Sequence, residues 1–198
     1  MPISKLKRDL SACTICKDRF AATRTRHGPR PIVWFDKGAR LLIASQAPGA
    51  RAHDGGRPFI DPSGNRLRDW MGVDGDTFYD RSRVAIVPMA FCFPGYNAQG
   101  SDLPPPPVCA KTWRADILEQ LPDIRLTLLI GGYAQKYHLG GDATSVTDTV
   151  ARWRDHAPAI IPLPHPSWRN TAWIKRNPWF ETELLPVLKS RVKEALAP

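Results

Sequence analysis

Four short apolar runs, each followed by turn residues, constrain this chain more than any other feature: Arg40 to Ser45, Val84 to Ala90, Leu126 to Gly131 and Ala159 to Leu163. Each has the length of a buried strand. Helix-period patterns fall between and after them, over Ser63 to Met71, Cys109 to Leu121, Gly132 to His138, Val146 to His156 and Pro178 to Leu196. Ser63 and Asn177 are placed as N-caps, Pro178 suits a first helical position, and Pro186 should kink the last helix or break it in two. Strands alternating with helices predict a three-layer α/β/α sandwich around a mainly parallel four-stranded sheet.

With 198 residues and 42 % hydrophobic content, the chain can bury one sizeable core, so a single domain over residues 1–198 is expected. Its first 36 residues carry a C-x2-C pair, Cys13 and Cys16. The formal charge of +9, from 28 basic and 19 acidic residues, favours a polyanionic partner through phosphate contacts and counterion release. Met1 to Leu10 offers no apolar stretch of signal-peptide or membrane-span length, so a cytoplasmic monomer without a membrane partner is expected. Four cysteines in a reducing compartment then read as metal ligands or as plain buried thiols. Leu103 to Val108 is a Pro-rich stretch read as a stiff extended loop between Cys92 and Cys109.

In open α/β sheets the functional groups collect beyond the carboxyl ends of the strands, where helix N-termini point outward. Two loops qualify. After the first strand comes Gln46-Ala47-Pro48-Gly49 followed by His53, Asp54 and Pro58-Phe59; after the last comes His165-Pro166-Ser167-Trp168-Arg169-Asn170.

These loops resemble motifs one and two of the uracil-DNA glycosylase superfamily, a Gly-Glu-Ala-Pro-Gly-like segment with a downstream Pro-Phe and a His-Pro-Ser signature. The cysteine layout, C-x2-C, then Cys92 and, after sixteen residues, Cys109, is similar to that of the iron-sulfur (family-4) branch. The resemblance implies an enzyme that flips uracil out of DNA and hydrolyses its N-glycosidic bond. It also implies a [4Fe-4S] cluster on Cys13, Cys16, Cys92 and Cys109. Zinc would accept the same four thiolates and is the less favoured occupant. Phe59 would stack on the flipped base, the backbone at Gln46 and Ala47 would line its edge, and the Gln46 side chain would help place water. His165 would donate to the uracil oxygen on which charge grows as the C–N bond breaks.

Two departures affect this reading. Motif one has Gln46 for its acid, and Pro88 stands where the branch has an Asn that reads the uracil edge; Ala47 replaces the water-activating carboxylate of family-1 enzymes. The base is therefore open, with His53, Asp54 and Asp61 as candidates, and Asn97 or Gln99 could supply amide contacts to the base. Ser167, Trp168, Arg169 and Asn170, with Lys175, Arg176, Arg51 and Arg57, are the expected DNA contacts. A lesion-binding protein on the same fold, non-catalytic or covalently trapping, is the alternative. A nucleotide-binding metal protein using Gly131-Gly132 is a third, weaker reading.

Overall fold

The structure, a computed structural model, describes residues 1–197. Strands β1 (Leu41–Ala44), β2 (Val84–Ile86), β3 (Leu126–Ile130) and β4 (Ile160–Leu163) form a sheet in the order β2-β1-β3-β4. Every neighbouring pair is parallel. Leu41 and Ile43 point to one face of β1 and Leu42 to the other, and all are buried, because helices cover both faces. The fold expected from the sequence is the one observed.

On the first face lie α4 (Pro62–Met71), α5 (Gly75–Tyr79) and α10 (Leu185–Ala195), contributing Leu67, Trp70, Phe78, Leu188 and Val192 to the core. The second face is covered by α1 (Ile3–Ser11) and α6 (Pro107–Glu119) through Leu6, Leu10 and Ile117. α7 (Gly132–Leu139) packs Ala134 against Leu129 of β3. The sheet changes direction of growth between β1 and β3, since the chain adds β2 on one side of β1 and β3 on the other. Such a switch point opens a crevice at the carboxyl ends of the strands.

Several element boundaries differ from the sequence expectation. β2 stops at Ile86 instead of running to Ala90, since Pro88 has no N–H to give a ladder. The chain beyond it still docks beside β1, with Met89 N–H on the Ser45 carbonyl at 2.7 Å and Ala90 N–H on the Gln46 carbonyl at 3.1 Å. The Pro-rich stretch is loop only to Pro106; Pro107, whose missing N–H costs nothing in a first turn, opens α6 two residues before Cys109. Asp61, not Ser63, caps α4, its Oδ1 accepting from Ser63 N (3.1 Å) and Gly64 N (3.2 Å). The helix from Val146 ends at Ala151 (α8) and continues as a 3-10 turn over Trp153–Asp155. Asn177 caps nothing ahead of it, as its amide donates back to the Trp173 carbonyl at 2.8 Å. The expected disturbance by Pro186 takes the form of a π-helical turn over Phe180–Leu184 just before α10, where the wider winding accommodates the missing donor. α2 (Lys17–Ala21), α3 (Ala50–Gly55) and α9 (Thr171–Arg176), like α1 and α5, were not anticipated; α2, α3, α5 and α9 are one to two turns long, too short to carry a period. Among the described residues no helix is long and apolar enough to cross a membrane.

Candidate functional site

The loops leaving β1, β2 and β4 close around one cleft. Ser45, Ala47, Pro48 and Gly49 form one wall, Pro58, Phe59, Asp61 and Ser63 a second, and Pro88, Asp102 and His165 complete it. With its open mouth the cleft encloses ≈ 530 Å³, part of it open to solvent. Phe59 and His165, far apart in sequence, therefore share one pocket.

Phe59 is held in an unusual backbone state. Its φ is +52°, in the left-handed region that side chains other than glycine rarely adopt. The Tyr79 hydroxyl donates to the Phe59 carbonyl at 3.0 Å and Arg68 Nη1 reaches the same oxygen at 3.4 Å. A Cβ on Gly64 would lie 1.8 Å from that oxygen, so the first turn of α4 can approach only because residue 64 is glycine. The Phe59 ring packs edge to face on Phe78 with centroids 6.1 Å apart. Strain fixed by surrounding bonds in this way aims the ring at the cleft.

His165 is oriented by its own loop. The Ser167 backbone N–H donates to Nδ1 at 3.2 Å, which leaves the proton of a neutral ring on Nε2. Nε2 bonds to none of the described residues, while burial holds the imidazole below its usual pKa against the opposing pull of Asp61. Asn170 Nδ2 clamps the His165 carbonyl at 2.7 Å, and Arg66 of α4 donates to the Ser167 carbonyl at 3.1 Å. The result is a fixed neutral N–H donor in the cleft that Phe59 also lines.

Other residues singled out from sequence fall elsewhere. The Gln46 side chain donates to the Leu103 carbonyl at 3.4 Å and borders a broader neighbouring cleft with Tyr133, Lys136 and Trp173, a cleft that His165 also borders. His53 packs edge to face on His27 at 5.1 Å, and Arg30 donates to the carbonyls of His53 and Asp54 at 2.6 and 2.9 Å. Neither His53 nor Asp54 lines the cleft of Phe59 and His165. Asn97 spends its Oδ1 inside its own loop, on Gln99 N and Ser101 N. Ser167 Oγ accepts from Arg169 N at 3.1 Å, and Trp168 stands 76 % exposed at the loop tip with the Arg169 guanidinium 6.0 Å from its ring centre. Arg51 is exposed on α3.

Three residues of the site carried no signal in the sequence reading. Asp102 lines the cleft from the Pro-rich loop. Arg66 braces the His165 loop. Arg114, fully buried in α6, donates to the carbonyls of Val87 and Pro88 at 2.7 and 3.1 Å and so fixes the wall that Pro88 presents. A lone Arg in a helix and an Asp in a loop look like ordinary surface charges until the fold places them.

The four cysteines are free, and all of them line one cavity whose other walls are apolar, among them Phe20, Pro31, Phe91 and Trp113. Burial pushes the thiols of Cys92 and Cys109 up to about 12 and about 11, and the neighbouring cysteines add to each shift. A bound cation reverses that preference by stabilising thiolate. The Phe91 N–H points at Cys109 Sγ at 3.4 Å, a contact of the kind that stabilises ligating sulfur. Among the described residues no three His, Cys, Asp or Glu side chains are grouped tightly enough for a single metal ion. By their chemistry, four thiols lining one cavity are the donor set of a [4Fe-4S] cluster.

The family model for the Uracil DNA glycosylase superfamily matches residues 32–189, most of the chain and both motif loops. The chain belongs to the uracil DNA glycosylase superfamily. Among solved structures, the solution NMR structure of a protein from Methanosarcina acetivorans, provisionally described as a uracil DNA glycosylase, is 16 % identical. That match covers 81 % of this chain and 98 % of the other, with a TM-score of 0.48. The superfamily match begins after Cys13 and Cys16, so the N-terminal half of the cysteine cavity lies outside it.

Proposed function

We propose that this member of the superfamily is a DNA glycosylase that flips uracil from DNA into the cleft of Phe59 and His165 and hydrolyses its N-glycosidic bond. The observation that carries the proposal is the convergence of Ala47, Phe59 and an Nε2-protonated His165 on one pocket. A base inside a duplex hides its glycosidic bond, so extrusion into such a pocket is a requirement of the chemistry. Phe59 stacks on the pyrimidine, the backbone at Ala47 follows its edge, and His165 Nε2–H meets the oxygen that gains negative charge as the C–N bond opens. Because the donor is positioned before the reaction, little reorganisation is needed as charge develops.

Trp168 at the loop tip is shaped to fill the gap a flipped base leaves, with Ser167, Arg169 and Arg51 on the phosphates. Cys13, Cys16, Cys92 and Cys109 would hold a [4Fe-4S] cluster, whose contribution is structural: it ties the segment carrying α1 and α2 to the Pro-rich loop. Brown protein absorbing near 400 nm supports the cluster, and colourless zinc protein refutes it.

Incubation with a uracil-containing oligonucleotide, followed by alkali, tests the activity: strand cleavage at the uracil position is expected. A tight complex without an abasic product would favour the lesion-binding alternative. Pro88, which presents no side-chain hydrogen bond to the pocket, and Gln46, tied to Leu103, give that alternative its support.

A further inference from the structure

The cleft contains two carboxylates with very different duties. Asp61 spends Oδ1 on the cap of α4, accepting from the backbone of Ser63 and Gly64 and from the Ser63 hydroxyl. Asp102 accepts no hydrogen bond from any described side chain or backbone donor, yet it lines the same pocket as Phe59 and His165. Its loop is firmly built. Tyr96 and Asp102 form an antiparallel bridge, Leu103 N–H donates to Gly95 O at 2.8 Å and Asn97 N–H to Ser101 O at 2.8 Å. Buried Pro105 and Pro106 stiffen the chain that follows. The tether from Gln46 to the Leu103 carbonyl ties this loop to motif one.

That tether brings the Asp102 carboxylate against the backbone of motif one. Oδ2 lies 4.0 Å from where a Cβ of Gly49 would stand, two residues beyond Ala47, so a carboxylate from a different segment occupies the edge of the cleft that Ala47 leaves without one.

We infer that Asp102 is the hydrolytic base of this site, the group that takes a proton from the attacking water. The inference rests on the excision reading above. In the step, the water oxygen bonds to C1′ of the flipped nucleotide while the C1′–N1 bond breaks, its electron pair leaving on the pyrimidine beside His165 Nε2–H. The water proton passes to Asp102 and then to solvent, and the departing pyrimidine anion takes up a proton from solvent. The surroundings of Asp102 suit it to this role, since desolvation of its carboxyl group and the like charge of Asp61 raise its proton affinity, while Arg169, the facing cation, opposes them. A base shifted upward from the ordinary carboxylate range is a better acceptor near neutral pH.

Single-turnover excision from a uracil-containing single strand, measured from pH 4.5 to 8, tests the assignment with Asp102→Asn, Asp54→Asn and wild type. Anisotropy with abasic-site DNA reports binding separately. Asp102→Asn is expected to slow excision by about 100-fold or more, to lose the acid limb of the pH profile and to bind abasic DNA as wild type does. Asp54→Asn, outside the cleft, should behave as wild type. An unchanged melting temperature excludes a folding defect, as is expected for a carboxylate that accepts no hydrogen bond from any described residue. Wild-type excision by Asp102→Asn, with the acid limb intact, overturns the role of Asp102 alone. A wild-type protein that releases no uracil overturns both this assignment and the excision reading.

Discussion

The backbone of Phe59 and the bare Cα of Gly64 form a single device, and substitution of either separates its parts. In Gly64→Ala the new methyl collides with the Phe59 carbonyl, so α4 must shift or Phe59 must leave its φ of +52°. A loss of ~1 to 3 kcal/mol in stability, the usual range for overpacking, is expected by denaturant melt, together with weaker binding of uracil-containing DNA. Phe59→Ala keeps the turn but removes the ring. Stacking of a base on an aromatic contributes about 1 to 3 kcal/mol, so affinity for abasic-site DNA with free uracil added should fall by about 5- to 150-fold, with little change in melting temperature. At this scale the sequence is informative where residues sit in a contiguous motif: it brings Ala47, Phe59 and His165 to one rim, and all three line the cleft. It was silent where a role depends on a long-range approach. Asp102 and Arg114 reach the cleft and its wall from segments distant in sequence, and the loops of His53, Asp54 and Asn97 place them outside the cleft of Phe59 and His165.

Elements were legible in proportion to their length and apolar content. β1, β3 and β4 fall within one or two residues of expectation, since their apolar runs are bounded by turn residues. The sequence extends β2 too far because the buried chain from Val87 to Gly95 is as apolar as a strand while its hydrogen bonds are irregular. The join of α6 to α7 adds a pH dependence that no periodicity reveals. Arg114 Nη2 lies 2.6 Å from His138 Nε2, and burial first, then the facing guanidinium, depress His138 to about 4. The unfolded chain binds that proton near pH 6.5 whereas the folded one resists it until about 4, so this histidine makes stability fall as pH drops from about 6.5 to about 4. His138→Gln removes this dependence, so the stability of wild type relative to the variant should decrease between pH 7 and pH 4, as read by denaturant melts at the two pH values. Parallel stability curves for the two proteins would show that His138 does not carry this dependence.

The molecule as a whole is a cation with one strongly featured rim. Its charge of +9 predicts that binding to a single strand weakens linearly in log salt, each phosphate contact contributing about 0.7 to the slope. Arg169→Ala should reduce that slope by about one contact, and an unchanged slope would place Arg169 off the backbone. The sheet and its layering followed from four apolar runs, but the joining of Cys13 and Cys16 to Cys92 and Cys109 depends on how α1 and α2 fold back, which spacing alone does not dictate. Cys13→Ser with Cys16→Ser should leave the protein colourless and less stable. The proposed chemistry turns on a neutral imidazole that the Ser167 N–H fixes in the cleft. Its most direct measurement is single-turnover excision of uracil by His165→Ala against wild type. A drop of about 10² to 10³-fold with undamaged-DNA binding preserved is the expected result, and equal rates would contradict it.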